Sequence, residues 1–269
     1  MEQNRHTGSV GHVPDSPSAG ATDQSSIENL PLAGYPILST TAFVLSKMLK
    51  ERLAATRKTV LAFANTNLVL KCQAMLPWMD SDEVVLVNDG IGLDIAALLM
   101  HGHRYRANLN GTDFVPYFLK NLSAQRKIFL FGGQPGVAEK AAAVIERDYG
   151  QDVVGCLNGY SALSPQTLHR QINESGAEIV LVALGNPIQE EWIRSNMHAL
   201  DAKLFIGVGA LFDFLSGAAR RAPLWIQKIR CEWLFRLAQE PKRLMRRYTV
   251  EAASFLYLCL STRRTRLLS

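Results

Sequence analysis

The sequence contains few cysteines and no long hydrophobic run, and both shortages restrict the kind of protein that it encodes. Four cysteines stand far apart among 269 residues, without any CxxC pair. This spacing indicates neither a disulfide framework nor a thiolate metal site, and it favours a reducing compartment. No stretch reaches the roughly 18 uninterrupted apolar residues that a spanning helix needs, and no apolar region follows a basic start at the N-terminus. We therefore expect a protein that is neither secreted nor transmembrane.

Hydrophobic residues are also scarce at the N-terminus. Residues 1–30 are rich in Ser, Gly, Pro, Asp and Gln, a composition that buries too little apolar surface to offset the entropy of ordering. We predict a disordered tail there. The whole chain is 48% hydrophobic, which provides for a sizeable core in the remainder.

Acidic residues are scarce at the opposite end of the chain. Between Arg220 and Ser269, twelve Lys and Arg residues stand against three Glu, a formal net charge of +9, whereas the whole chain carries +5. The basicity is therefore a C-terminal property. We divide the chain into the tail, a core over 31–219 and a basic helical appendage over 220–269.

Short β-branched runs alternate with helical patterns through the core. The predicted strands are Thr59–Ala64, Val84–Val87, Lys127–Phe131, Val153–Cys156, Glu178–Ala183 and Lys203–Ile206. Such alternation predicts an α/β fold, a parallel sheet covered by helices on both faces. Small and polar residues follow nearly every strand, and ligands bind at the carboxyl ends of such sheets. The sequence thus predicts a site assembled from several strand ends.

The stretch from Gly132 to Gly136 forms a glycine turn between a strand and a helix. Glycines there let the backbone approach a phosphate at the helix N-terminus, as in nucleotide-binding turns. A tight turn that needs glycine only for its geometry explains the same residues equally well.

Asp89 follows the second strand and precedes a helix. Helix capping is the commonest role of aspartate at such a position. Such a carboxylate can also act as a general base that takes the proton of an attacking hydroxyl. Asp94, within the following helix, is expected on a solvated face.

Other polar residues near strand ends allow similar alternatives. Asp113 and Asp213 each start a helix, where capping competes with ligand binding. Gln189 and Glu190 follow the fifth strand and place an amide and a carboxylate near any bound sugar or uracil, while Gly209 permits a close approach to the ligand.

A metal site has little support in the sequence. Asp80 and Asp82 match the Asp-x-Asp string of metal-dependent sugar transferases, but they precede a strand and so lie at the amino edge of the sheet, away from the predicted site. We assign them to a solvated loop. No histidine shows ligand spacing.

The appendage contains two amphipathic helical patterns separated by Pro241. Basic residues beside Trp, Leu and Phe are typical of a helix that lies in a membrane interface. The apolar stripe is also compatible with ordinary core packing. The arginines could instead bind nucleic acid, but no nucleic-acid-binding motif accompanies them. We expect the first helix to dock on the core and the second to meet lipid.

Six stretches, in this order, resemble the WecG/TagA/CpsF glycosyltransferases: NDGIG, NGTDF, GGQPGVAEKAA, GNPIQEEWI, GVGALFDFLSG and RAPLWIQKIRCEWLFRLAQEPKRLMRRY. An ordered series is more specific than any one motif. The resemblance implies a Rossmann-like fold and inverting transfer from a UDP-sugar to a polyprenyl-pyrophosphate-linked sugar, with neither metal nor cofactor. It also implies an appendage that completes the site at the cytoplasmic face of the bacterial membrane. A nucleic-acid partner is not expected, and self-association is left open.

The resemblance also assigns roles by position. Asp89 matches the family's catalytic base, Gln189 a glutamine near the donor and Asn67 the asparagine of a TxN element. Asn65 stands where that element often has Thr, and Asn108 where many members have Arg. The candidate substrate-binding residues are Asn65, Asn67, Asn88, Asn108, Asp113, Gly132, Gly133, Gln189, Glu190, Gly209 and Asp213. The candidate contacts to the acceptor pyrophosphate and membrane are Arg236, Arg243, Arg246 and Arg247.

Two stretches, FANTNLVLKC and VNDGIGLDIAALLMHGHRYRANLNGTDF, are closer to the GumM branch of the family. That likeness implies β-1,4 transfer from UDP-glucose onto glucosyl-pyrophosphoryl-undecaprenol in exopolysaccharide assembly. Donors of the UDP-N-acetylmannosamine or UDP-N-acetylmannosaminuronate type are the alternative. A non-catalytic nucleotide-binding membrane scaffold and an RNA-binding protein are the hypotheses from other classes.

Overall fold

The computed structural model describes residues 27–223, 226, 232–239 and 241–268. Within these residues, eight strands form one sheet in the order β1-β2-β4-β3-β8-β7-β5-β6. The strands are β1 (Glu28–Asn29), β2 (Leu38–Ser39), β3 (Thr59–Ala64), β4 (Val84–Asn88), β5 (Lys127–Gly132), β6 (Asp152–Leu157), β7 (Ile179–Ala183) and β8 (Leu204–Gly207). β1 and β2 pair antiparallel, and every other pairing is parallel.

The six strands predicted from the sequence are confirmed to within one or two residues at each end. β3, β4, β7 and β8 are almost completely buried, as expected of central strands covered on both faces. The short β1 and β2 were not predicted. Most of the predicted tail lies outside the described residues, and the chain is already paired in the sheet at Glu28.

Helices connect and cover the strands. They are α1 (Ala42–Ala54), α2 (Thr66–Lys71), α3 (Leu76–Met79), α4 (Ile91–His101), α5 (Gly111–Lys120), α6 (Val137–Tyr149), α7 (Pro165–Glu174), α8 (Ile188–Asn196), α9 (Leu211–Leu215), α10 (Glu232–Gln239), α11 (Pro241–Arg246) and α12 (Ala252–Leu268). A π-helical turn, Arg247–Glu251, joins α11 to α12. Side-chain caps start several helices: Thr41 caps α1, Asn65 caps α2, Asn110 caps α5 and Ser164 caps α7.

Alternate residues of the central strands enter cores on opposite faces of the sheet, as the two-residue period of a strand requires. Leu61 and Phe63 of β3 pack under α1, α5, α6 and α9. Ala62 and Ala64 face the other way, toward α2, α4 and α12. Further along that second face, α7 and α8 cover β5, β7 and β8. The predicted α/β architecture, a mostly parallel sheet between helical layers, is confirmed.

The C-terminal helix is part of the core. Phe255 and Cys259 are 1% and 3% exposed and pack against α2 and α4. Burial raises the pKa of the Cys259 thiol to about 12. The apolar run from Phe255 to Leu260, which was expected to meet lipid, therefore directs part of its surface inward. Because these two residues stand one helical turn apart, they form a single buried stripe on α12.

Candidate functional site

The loops after β3, β7 and β8 meet at the carboxyl edge of the sheet, where the sequence predicted a site. The Asn65 amide donates a hydrogen bond to the side-chain oxygen of Asn186 at 3.4 Å, which joins the loops after β3 and β7. The Asn65 oxygen accepts from the Leu68 amide at 3.0 Å and so caps α2. Asn67, in the first turn of α2, is buried. This asparagine cluster therefore forms one side of the site.

Gln189 lies at the centre of this edge. Its side-chain oxygen accepts hydrogen bonds from the backbone amides of Gly185 at 3.2 Å and Gly209 at 3.1 Å. Its nitrogen donates to Glu190 at 2.7 Å. The side chain is only 3% exposed, so all three contacts are made away from bulk water. Gln189 thus fixes the loops after β7 and β8 relative to each other.

Gly207 makes room for this glutamine. A Cβ atom at Gly207 would lie 2.7 Å from the Gln189 side-chain nitrogen, well inside van der Waals contact. The sequence interpretation explained the nearby Gly209 by a close approach to a ligand. The structure gives Gly207 a different reason, the accommodation of Gln189.

Glu190 is a buried carboxylate, 1% exposed. Its Oε1 accepts from Gln189 and, at 2.6 Å, from the Asn186 side chain. Among the described residues its Oε2 has no hydrogen-bond partner. Burial raises the pKa of Glu190, and the hydrogen bonds from Gln189 and Asn186 oppose that rise. A carboxyl group in this setting takes up a proton more readily than one in water.

The turn that carries Asp89 lies beside the same edge. The Asp89 amide donates to the Ala64 carbonyl at 2.6 Å, and the Asn108 side chain accepts from the Gly90 amide at 2.8 Å. Gly90, with φ +94°, is the N-cap residue of α4, so Asp89 stands one residue before the capping position. Its side chain is half-buried. The capping position that the sequence context favours for Asp89 is therefore occupied by Gly90.

Strand spacing places Asp89 near the glutamine. Asp89 follows β4 and Gly209 follows β8, and β3 lies between these two strands. Adjacent strands are about 4.8 Å apart, so the two strand ends are separated by roughly 10 Å. Asn65 follows the strand between them. The turn of Asp89 and the loops held by Gln189 therefore lie along one stretch of the carboxyl edge, on either side of the loop after β3.

Two further polar residues lie under this turn. Asn88 is completely buried, and among the described residues neither of its side-chain polar atoms has a hydrogen-bond partner. Asp94, one turn into α4, is 1% exposed, so the expectation of a solvated face is wrong. Asp94 also contributes to the raised pKa of the buried Tyr105 hydroxyl, for which burial is the larger cause. The helical pattern alone did not reveal this burial, because α12 covers α4 from a distant part of the chain.

The glycine turn after β5 has clear conformational reasons. Gly132 adopts φ +123°, and a Cβ there would lie 2.3 Å from the carbonyl oxygen of Ala183. The Gly133 amide donates to that same carbonyl at 3.0 Å, and Gly133 also adopts a positive φ. These contacts account for both glycines without a ligand, which favours the second of the two interpretations given to this motif.

Asp113 binds the start of the C-terminal segment. One carboxylate oxygen accepts from the Asn110 side chain at 2.7 Å, and the other accepts from Arg221 at 2.5 Å. Arg221 also pairs with Glu232 of α10 at 3.3 Å. The carboxylate therefore joins α5 to the appendage. Arg221 was missed among the candidates, although its place in a basic pair before Ala-Pro was a usable signal.

The remaining candidates are less closely defined. Asp213 is half-buried in the first turn of α9, and its backbone carbonyl accepts from the Ala219 amide. Arg246 is exposed on α11. The side chains of Arg236, Arg243 and Arg247 lie outside the described part of the chain.

The Asp-x-Asp string lies where the sequence placed it. Asp80 ends α3, and the fully exposed Asp82 precedes β4 at the amino edge of the sheet. Asp82 pairs with Arg57 at 3.5 Å, and its carbonyl accepts from Arg52 at 2.9 Å. Across the ranges described, no group of three His, Cys, Asp or Glu side chains has the geometry of a metal site. In those same ranges, every helix is too short or too polar to cross a membrane.

One comparison with known proteins bears on the chemistry of this edge. The model of the glycosyl transferase WecG/TagA/CpsF family matches residues 30–268, a span that contains strands β2 to β8 and the C-terminal helices.

Proposed function

Because the chain belongs to the WecG/TagA/CpsF family of glycosyltransferases, we propose that it transfers a sugar from a UDP-sugar to a sugar on a polyprenyl pyrophosphate, with inversion. Family membership itself indicates a glycosyltransferase of cell-surface polysaccharide synthesis, with a nucleotide-sugar donor and a lipid-linked acceptor. The uridine nucleotide, the polyprenyl carrier and the stereochemistry are the finer parts of the proposal.

The arrangement of Asp89 carries the proposal. Its carboxylate is half-buried at the carboxyl edge of the sheet, next to the end of β3 and outside the N-cap position of α4. A general base must lie within hydrogen-bond reach of the proton that it removes. The place of this carboxylate, at the edge where parallel sheets bind their ligands, supports that role.

The proposed reaction is a single displacement. Asp89 takes the proton of the acceptor hydroxyl while the hydroxyl oxygen forms a bond to C1 of the donor sugar. The bond between C1 and the UDP oxygen breaks at the same time, and the electron pair leaves with UDP. Attack from the face opposite the leaving group inverts the configuration at C1. An α-linked donor therefore gives a β linkage.

The leaving UDP gains negative charge and requires stabilisation. Backbone amides at the strand ends and the arginines of the appendage are the proposed source, in place of a metal ion. Arg221 supports this part of the proposal, because its ion pair with Asp113 fastens the basic segment to α5 of the core. Arginine binds phosphate oxygens through parallel hydrogen bonds.

Glucose is the proposed donor sugar, with a β-1,4 linkage, and the N-acetylmannosamine-type donors are the alternative. Asn65, which stands where the TxN element often has Thr, has a conformational role in the structure. Asn65 caps α2, a role that Thr also fills. Asn108 likewise supports the backbone of Gly90. Both departures thus have local conformational roles, and the substrate contacts proposed for Asn65 and Asn108 remain part of the proposal.

The proposed place of reaction is the cytoplasmic face of the bacterial membrane, in exopolysaccharide assembly. A polyprenyl carrier keeps its pyrophosphate at the membrane surface, and the basic C-terminal segment is attracted to anionic lipid by about 1 kcal/mol for each basic residue.

Replacement of Asp89 by Asn tests the role of the base. Transfer should fall by roughly 10²- to 10⁴-fold because the amide cannot accept the proton. The assay offers a panel of UDP-sugars with glucosyl-pyrophosphoryl lipid, with and without EDTA. Asp82→Asn is the matched control, because it removes a fully exposed carboxylate at the opposite edge of the sheet and should leave the rate unchanged.

The outcomes separate the hypotheses. Normal turnover in Asp89→Asn would show that Asp89 is not the general base. Binding of UDP without transfer of any sugar would favour the non-catalytic scaffold instead. Faster transfer from an N-acetylmannosamine-type donor than from UDP-glucose would replace the proposed donor.

A further inference from the structure

The outer side of α4 exposes large apolar side chains. Ile95, Leu98 and Leu99 are 43%, 42% and 57% exposed. They occupy positions i, i+3 and i+4 and therefore share one face of the helix. The other face of α4 is buried against the sheet and α12. A continuous exposed apolar stripe on a helix whose inner face is already packed marks an interaction surface.

The outer side of α12 adjoins this stripe. Tyr257 and Leu260 are 75% and 52% exposed, and they too stand three residues apart on one helical face. The inward positions, Phe255 and Cys259, pack beside α4. Because the two helices are in contact, their exposed apolar side chains lie on neighbouring parts of one surface. This lipid-facing surface, as we call it below, comprises Ile95, Leu98, Leu99, Tyr257 and Leu260.

The two segments that carry the lipid-facing surface are basic, and the acidic Glu28 of β1 lies 3.8 Å from His103 just beyond α4. The sequence has no Asp or Glu from Ile95 to Thr112 or from Ala252 to Ser269. The acidic residue of α4, Asp94, is buried. Arg104 is exposed just beyond α4, and the last turns of α12 contain Arg263, Arg264 and Arg266 in sequence. A partner that complements these two segments is apolar in part and negatively charged in part.

We propose that the outer faces of α4 and α12 seat together on an anionic phospholipid membrane, so that α4 of the α/β core contacts lipid directly. Leu, Ile and Tyr beside basic residues are typical of a helix in the headgroup region. The proposal deepens the membrane part of the proposed function and rests on it for the nature of the acceptor.

The position of α4 gives this seat a consequence for the site. The helix begins two residues after Asp89. At 1.5 Å per residue, Ile95 lies about 9 Å and Leu99 about 15 Å from Asp89 along the helix axis. A membrane that touches the lipid-facing surface therefore lies within reach of the base, where a lipid-linked pyrophosphate sugar can enter without leaving its bilayer.

Vesicle flotation tests the proposal and requires no activity. The full-length protein is mixed with vesicles of phosphatidylcholine, either alone or containing phosphatidylglycerol. The test variants are Leu98→Glu/Leu99→Glu on α4 and, independently, Tyr257→Glu/Leu260→Glu on α12. Phe43→Glu is the matched control, because Phe43 is 66% exposed on α1 across the sheet. Thermal unfolding shows that each variant is folded.

The wild type and Phe43→Glu should float with anionic vesicles. Each double variant should bind them more than about tenfold more weakly, because it loses two apolar contacts and gains two charges that the headgroups repel. Wild-type binding by Leu98→Glu/Leu99→Glu would overturn the role of α4. If the wild-type protein does not bind vesicles but forms dimers, and either double variant is monomeric, the surface is a dimer interface and the proposal is wrong. Neither result depends on whether the protein transfers sugar.

Discussion

Gly207→Ala should destabilise the protein through Gln189 and not through the backbone of β8. The new methyl group would lie 2.7 Å from the Gln189 nitrogen and 3.2 Å from its amide carbon, so the glutamine must leave its place. It would then lose its bonds to Gly185, Gly209 and Glu190. At about 1 kcal/mol for each neutral bond and somewhat more for the bond to a carboxylate, the free energy of unfolding falls by roughly 3 kcal/mol.

A double-mutant cycle isolates this effect. In a Gln189→Ala background the space beside Gly207 is empty, so Gly207→Ala should cost less than about 1 kcal/mol there. The coupling between the two sites is then roughly 2 kcal/mol or more. Denaturant unfolding of the four proteins measures it, and an assay of sugar transfer on the same samples reports whether the loops after β7 and β8 must be held together for turnover.

Two results would refute this reasoning. An equal cost of Gly207→Ala in both backgrounds would mean that the glycine serves something other than the glutamine. A negligible cost in the wild-type background would mean that Gln189 rearranges freely, and then the loops do not depend on it.

Three other perturbations test separate parts of the structure. Arg221→Met removes both ion pairs of that arginine, so limited proteolysis should cut the C-terminal segment faster while stability falls by only about 1–2 kcal/mol; an unchanged cleavage rate would contradict the link. Phe255→Ala should cost about 3–5 kcal/mol in chemical unfolding because a buried aromatic leaves a cavity, whereas Tyr257→Ala should change stability by less than about 0.5 kcal/mol. Transfer should persist in EDTA for the wild type, and an EDTA-sensitive activity that Asp82→Asn also lacks would restore the Asp-x-Asp string to the site.

The sequence predicted the strands well because their signal is local. Six apolar runs, among them those of Ile179–Ala183 and Lys127–Gly132, stand out by hydrophobicity, and small or polar residues follow nearly all of them. Strand order was not predictable in this way. It depends on which runs pair across long separations, and β8 joins β3 only after more than a hundred intervening residues. The antiparallel pair β1 and β2 was missed because two-residue strands have no detectable period.

The site shows the same division. Residue type and position after a strand identified Asp89 and Gln189 as candidates, since carboxyl ends of parallel strands collect ligand-binding residues. The burial and the hydrogen-bond partners of these residues could not be predicted from residue type and position. Asp94 is buried on α4, which packs against a helix more than 150 residues later in the chain, and Gly207 is needed to accommodate Gln189. Both features involve contacts between distant segments.

What the sequence determined by itself was therefore chemistry and local form: an α/β chain, polar strand ends, a basic C-terminus and an ordered set of motifs resembling one glycosyltransferase family. What only the tertiary structure decided was the partner of each group. Arg221 forms ion pairs with Asp113 and Glu232. Phe255 is buried in the core, and Leu98 is exposed at the surface. The physical reason is that burial and hydrogen bonding depend on which segments meet in space. The sequence of a helix does not by itself say which of its faces will pack against a neighbour and which will meet solvent.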